Sequence, residues 1–473
     1  MKRIFLSALL LCSLLPSGAS KAWGIHEGNE SRDDKGVETE LADYFKRAVA
    51  DASSASAFNP GRTQIPGDAP AEKLKAKDVA QWQGRVWELW TKAVAEAGGE
   101  TLAKPVRLEQ TDTSMWHIPS ELEASATMPY YFGSTGLMPK GGWPLLLYLH
   151  GSGPKEREWA TGRKLCQKFD GGDALYFIPQ IPNEGQLYRW WHRSKQFAWE
   201  RLLRQALASG QVNADSVYFF GISEGGYGSQ RLAAFYADYL AAAGPMAGGE
   251  PPVNAPAENM ANTPFSLRTG ERDEMFCRAL ITANTAAEYD SLAKFHPGLY
   301  EHFIELEPRS GHGINYYPTI PWMRQYGRNA QPRYVCWEDF AMDGRRRSGF
   351  ANMQILSSPA DEGEGRLRYE MRASGDSVVL TVDSVGYTPV EFAPSWGNFP
   401  IRWHKSFTPA TGGRLRLFLS DSIVDPSRRI TVTVNGAVKF RGKLRADVKA
   451  MAESAALFGD PRRVFPYAVE LNF

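Results

Sequence analysis

From about residue 105 to 328, short apolar runs alternate with amphipathic stretches, and this alternation limits the fold more than any other feature of the chain. PLLLYLHG (144–151), ALYFIPQ, SVYFFG, PFSLRTG and YEHFIELE read as strands. Between and after them, EREWATGRKLCQKF, FAWERLLRQALASG, GYGSQRLAAFYADYL and FCRALITANTAAEYDSLAKF read as helices. Strands that alternate with helices pair in parallel, are covered on both faces and are joined by right-handed crossovers. The expected centre of the molecule is therefore an α/β, doubly wound, mostly parallel sheet spanning 105–328.

The flanks have different periods. Residues 23–104 read as helical, and Val79, Trp82, Val86, Trp90 and Val94 form one apolar stripe, stopped by Gly98 and Gly99. That stripe is expected to pack against the next domain. Residues 329–473 carry short β-rich runs (DSVVLTVDSV, RLRLFLS, RITVTVNGAVKFRGKL), with the hairpin pair Asn435-Gly436 between two of them. They are expected to form a separate antiparallel, sandwich-like β-domain. Residues 1–22 read as a signal peptide: Lys2 and Arg3, the apolar IFLSALLLCSLLP, then small residues, with cleavage expected between Ala19 and Ala22. The expected location is exported, either periplasmic or secreted. Leu11 before Cys12 is too bulky for the usual lipoprotein site, so lipid anchoring is the lesser reading.

No later segment has 18 consecutive apolar residues, so no membrane span is expected. With 54 basic and 53 acidic residues, the formal net charge is +1, and bulk charge gives no reason to expect a nucleic-acid partner. Arg345, Arg346 and Arg347, the densest basic cluster, read as a solvated loop. Past the leader, Cys166, Cys277 and Cys336 are too few for a disulfide framework, and Cys277 reads as a buried small hydrophobe.

Gly221-Ile222-Ser223-Glu224-Gly225 fits G-x-S-x-G. In a chain with 44 glycines about 0.3 chance matches are expected, so the context has to carry the inference. The motif follows strand SVYFF directly and opens a helix, as a nucleophile elbow must. A serine hydroxyl needs a base. His26 and His117 precede the sheet, His404 lies in the β-domain and His302 sits within a strand. His312 lies between two glycines just past YEHFIELE, at the carboxyl edge of the sheet, and is the expected base. The base needs an acid between serine and histidine in the chain. Asp273 in RTGERDEMF is the first choice, with Glu271 and Glu274 as alternatives. Oxyanion donors are expected from the N–H of Glu224 and from HGSG, through Gly151 and above all Ser152. His150 could compete as base but more naturally shapes that loop. Arg189, Trp190, Trp191 and His192, with Tyr227, are expected to line the cleft; stacked tryptophans suit sugar or phenolic groups, and ordinary packing under a loop is the equal alternative.

In this order, HGSG, GISEG, Asp273 and His312 resemble the α/β-hydrolase family over roughly 130–328, and SEGGYG looks most like esterases and predicted peptidases related to polyhydroxybutyrate depolymerases and feruloyl esterases. Glu224 departs from the methionine or glutamine that follows the serine in many members. The resemblance implies ester hydrolysis through an acyl-enzyme, on a small-molecule or glycan-linked ester, without a cofactor or metal. Two alternatives stand beside it: a serine peptidase with the same triad, and a non-catalytic carbohydrate-binding surface protein in which the β-domain is the working part.

Overall fold

Nine strands form the central sheet among the described residues: β1 (Val106–Arg107), β2 (Ser114–His117), β3 (Thr127–Thr135), β4 (Trp143–Leu149), β5 (Ala174–Pro179), β6 (Val212–Ile222), β7 (Ala242–Met246), β8 (Phe265–Gly270) and β9 (His302–Glu307). The computed structural model describes residues 32–473 apart from 125, 184–188, 364, 394 and 396, so the expected signal segment lies outside the described residues. The strand order is β9-β8-β7-β6-β4-β5-β3-β1, with β2 paired to β3. Pairing is parallel from β9 through β5 and antiparallel between β5 and β3.

The strand runs are apolar because both faces are buried. Leu145, Leu147, Phe177 and Phe219 point into one core, while Leu146, Tyr148, Tyr176, Tyr218 and Phe220 point into the other. Helices α4 (Arg193–Ala208), α5 (Glu224–Tyr236) and α6 (Arg278–Phe295) supply side chains to the first core. Helices α3 (Lys155–Cys166) and α7 (Thr319–Met323) supply the second. Strand β4 lies between β5 and β6, so the order of the sheet reverses there. The carboxyl ends of β4 and β6 therefore border a topological switch point, where chains leave to opposite faces and open a crevice.

Beyond the sheet lie β10 (Tyr334–Asp339), β11 (Met353–Ser357), β12 (Leu367–Ser374), β13 (Ser377–Ala393), β14 (Phe399–Pro409), β15 (Arg414–Leu419), β16 (Arg429–Val434), β17 (Ala437–Lys443), a helix Val448–Phe458 and β18 (Tyr467–Asn472). They make one sheet ordered β10-β12-β13-β16-β17, with β14 on β13, and a second containing β11-β15-β18. Pairing is antiparallel with one difference from expectation: β13 and β16 run parallel. The chain leaves β14 for β15 in the other sheet before it returns, which reverses its direction on re-entry. Asn435 (φ 48°) and Gly436 (φ 79°) form the expected tight turn between β16 and β17.

Two expectations about the flanks are corrected. The stripe of Trp82, Val86 and Trp90 on α2 (Val79–Glu96; α1 is Arg32–Ala52) does not simply cover the neighbouring sheet. It joins Leu41 and Phe45 of α1 to Val448, Met451 and Ala455 of the helix near the far end of the chain. Arg345, Arg346 and Arg347 are not a solvated loop; all three are buried. Arg345 pairs with Glu200 at 2.6 Å, Arg346 donates to the Asp339 carbonyl at 3.2 Å, and Arg347 pairs with Asp238, which also takes Arg463. Burial alone would raise the Asp238 carboxyl, but the two guanidiniums outweigh it and hold it below the usual range. Buried guanidiniums persist when each meets an acceptor. Glu200 and Asp238 come from elements remote in sequence, whereas Asp339 lies seven residues before Arg346. Cys166, Cys277 and Cys336 are all buried and free.

Candidate active site

Ser223 sits between the end of β6 and the start of α5 with φ 59° and ψ −116°, a backbone state that L-residues rarely adopt. The turn is held by the Ser223 N–H to the Met246 carbonyl (2.9 Å) and the Tyr227 N–H to the Ser223 carbonyl (3.0 Å). It also depends on close backbone packing. A Cβ at Gly225 would stand 2.0 Å from the Leu149 carbonyl oxygen, and one at Gly226 would stand 2.3 Å from that of Met246. These glycines let α5 start directly against the ends of β4 and β7. Glu224 opens α5, and its N–H is among those at a helix start that have no intrahelical partner.

The other two side chains reach the serine from β8 and β9. Ser223 Oγ donates to His312 Nε2 at 2.9 Å, and His312 Nδ1 donates to Asp273 Oδ2 at 2.7 Å. The Asp273 side chain is 2% exposed and that of His312 45%, so the carboxylate is walled off while the imidazole faces the open crevice. Convergence depends on the two loops crossing without space between them. The Arg272 N–H donates to the Ser310 carbonyl at 2.9 Å, and the Glu271 N–H donates to that of Glu307 at 3.0 Å. A Cβ at Gly270 would stand 1.9 Å from the Gly311 carbonyl oxygen. Of the three acids considered, Glu271 instead accepts from the Arg309 N–H at 2.7 Å and steadies the histidine loop. Glu274 is exposed, and Asp273 is the one bonded to His312.

The HGSG segment lies against the elbow. The Cβ position of Gly151 would be 3.3 Å from both Ser223 Cβ and the Ile222 carbonyl oxygen, and Ser152 beside it is exposed. His150 is fully buried: its Nδ1 donates to the Gly151 carbonyl at 2.9 Å, and its Nε2 accepts from the Ile181 N–H at 3.2 Å. It braces the loop and does not compete as base. Burial pulls its pKa down to about 4, against the opposing effect of the Gly151 hydrogen bond. The unfolded chain, with an ordinary imidazole, binds that proton first, so stability falls as pH drops through the window from 6.5 to about 4. The expected loss is about 3 kcal/mol at the acid end. Urea denaturation at about pH 7 and about pH 4 should show a stability difference larger by this amount in the wild type than in His150→Gln.

The expected cleft residues divide. Arg189 is exposed, and its N–H donates to Glu224 Oε1 at 3.0 Å, which brings it beside the elbow. Tyr227 is half-buried one turn into α5, and burial raises its hydroxyl. Trp190 is a correction: it is fully buried and offers no face to a ligand. Its Nε1 donates to the His150 carbonyl at 3.1 Å, and its Cβ fills the space left by Gly228, so it supports the HGSG loop and α5 from beneath. An apolar ring next to the start of a tightly packed helix gains more by filling that gap than by facing water. Trp191 lies against the Arg231 guanidinium at 3.9 Å, which is itself paired with Glu250 at 2.6 Å. His192 stands at the start of α4, where its carbonyl accepts from Lys195 and Gln196. The paired-tryptophan surface expected for sugar or phenolic groups is therefore absent as a unit. Leu187 and Tyr188 of the same stretch lie outside the described residues.

Sequence reasoning missed Arg278. Its Nη1 donates to Asp273 Oδ1 at 2.9 Å and lies 3.4 Å from His312 Nδ1. Its position within a helical run gave no signal, because the turn that aims it depends on positive φ at Phe276 (53°) and Cys277 (60°).

No helix among the described residues is long and apolar enough to cross a membrane. No protein-family model matches the chain, and no curated protein matches it. Solved structures do match. A thermostable esterase is 18% identical, with a TM-score of 0.36, over 47% of this chain and 64% of that one. A ferulic acid esterase is 14% identical, with a TM-score of 0.34, over 46% and 98%. A carboxylesterase from Mesorhizobium loti is 19% identical, with a TM-score of 0.31, over 42% and 93%.

Proposed function

We propose that this protein is a serine hydrolase of the α/β-hydrolase type that cleaves carboxylic esters. The observation that carries the reading is the continuous hydrogen-bond chain Ser223–His312–Asp273 at 2.9 and 2.7 Å, built on an elbow with positive φ at the serine. Ser223 Oγ attacks the ester carbonyl carbon while His312 Nε2 takes the hydroxyl proton. Asp273 holds the ring in the Nδ1–H tautomer and stabilises the imidazolium that forms. The developing oxyanion rests on backbone N–H groups, that of Glu224 on one side and the Gly151–Ser152 segment on the other, each donor worth about 3–4 kcal/mol. His312 then gives its proton to the leaving alcohol oxygen as the C–O bond breaks. Water repeats the sequence on the acyl-enzyme and releases the acid.

We also propose that the protein acts outside the cytoplasm, on the expectation that residues 1–22 are a signal peptide. Carbohydrate-linked esters draw no support from Trp190, which is buried. Turnover of p-nitrophenyl acetate against an aminoacyl-nitroanilide tests ester against peptide chemistry. The expected result is readily measured ester turnover, with the anilide slower by at least roughly a hundredfold in kcat/KM. Anilide turnover equal to or faster than ester turnover would replace the reading with the peptidase one. Turnover of neither would favour a binding protein.

A further inference from the structure

We propose that Arg278 is a positioning residue of this site: its guanidinium grips Asp273 and so fixes the His312 imidazole for proton transfer from Ser223. The inference rests on the triad reading above. Asp273 is gripped from both sides: Oδ2 takes the His312 N–H at 2.7 Å and Oδ1 takes Arg278 Nη1 at 2.9 Å. The same Nη1 stands 3.4 Å from His312 Nδ1. With Nδ1 already donating to the carboxylate, that approach sets two N–H donors side by side, and one of them carries a fixed positive charge.

A carboxylate held through both oxygens cannot rotate away from the imidazole, so the ring is fixed for attack. Arg278 is 4% exposed, so solvent does not compete for this contact.

From α5 the Tyr227 ring centre lies 5.4 Å from the guanidinium. Burial raises the Tyr227 hydroxyl. Arg278 itself is fixed. Phe276 and Cys277 turn the chain into α6 with positive φ, the Ala279 N–H bonds the Asp273 carbonyl at 3.1 Å, and a Cβ on Gly249 would lie 3.2 Å from Arg278 Cα.

The test is kcat and KM on p-nitrophenyl acetate, per folded molecule, for the wild type, Arg278→Met, Arg278→Leu, Arg278→Gln and Arg278→Lys. In Arg278→Met kcat should fall roughly tenfold to a hundredfold with KM little changed. Arg278→Lys and Arg278→Gln, which still offer Asp273 a donor, should restore most of kcat. Arg278→Leu carries the test if Arg278→Met does not fold. A merely structural arginine would lower activity only in proportion to folded protein. That result in the apolar variants, or a loss that neither donor variant restores, overturns the proposal. Failure of the triad reading looks different: Ser223→Ala would then keep the wild-type rate, whatever the arginine variants do.

Discussion

Ser223→Ala is expected to lower kcat/KM on a p-nitrophenyl ester by roughly 10⁴- to 10⁶-fold, while the protein stays folded. In the proposed mechanism the loss is large because the three side chains act as a unit. Without Oγ, His312 has no proton to take and Asp273 has no imidazolium to stabilise. What remains is catalysis by the backbone donors beside an ordinary water. The fold should not follow the activity down. The substitution keeps a Cβ at a position whose φ of 59° is already strained, and it removes one hydrogen bond to a half-exposed ring. The Tm should stay within about 2–4 °C of the wild type. Ser223→Gly separates the two properties further. Glycine adopts that φ without strain, so this variant should be inactive and melt at a higher temperature than Ser223→Ala. Ester turnover and thermal unfolding monitored by circular dichroism measure both effects.

Gly225→Ala is expected to have the largest effect on stability, a loss of more than about 4 kcal/mol or failure to accumulate folded protein. The added methyl would meet the Leu149 carbonyl oxygen at 2.0 Å, the Leu149 carbonyl carbon at 2.5 Å and the His150 carbonyl oxygen at 2.9 Å. All three are backbone atoms at the end of β4, so no rotamer change relieves the overlap. Either α5 moves away from the sheet or β4 gives up its pairing. Both responses would also pull the HGSG segment from the serine, so any folded fraction should be poorly active. Gly67→Ala is the control, since nothing lies within 4 Å of its added Cβ. It should leave the urea midpoint within about 0.5 kcal/mol of the wild type.

Features fixed by neighbours in sequence are legible in the sequence itself. The central strands announced themselves because burial on both faces demands apolar residues at successive positions, as in Leu145, Leu146 and Leu147. The elbow was visible because its strand, turn and helix fit into a few residues. The acid was narrowed to three candidates within four positions and no further. What distinguishes Asp273 is the crossing of two loops at Gly270 and Gly311, a contact between segments some forty residues apart.

Other features are settled only by partners far away in the chain. Arg345 and Arg347 look like part of a surface charge cluster until Glu200 and Asp238 arrive to pair with them. Trp190 looks like a ligand platform until Gly228 leaves a space that its Cβ fills. The stripe on α2 meets a helix more than 350 residues later in the chain. Arg278 was hidden for a local reason instead: two consecutive positive-φ residues change the direction in which a helical pattern projects its side chains.

If Ser223 is an activated nucleophile, it reacts covalently with an active-site label. The intact protein would be treated with a fluorophosphonate and the modified peptide mapped by mass spectrometry, alongside Ser223→Ala and His312→Ala. One phosphonyl adduct on Ser223 is predicted, absent from Ser223→Ala and greatly slowed in His312→Ala. No adduct on the folded wild type, or an adduct that survives replacement of Ser223, would contradict it.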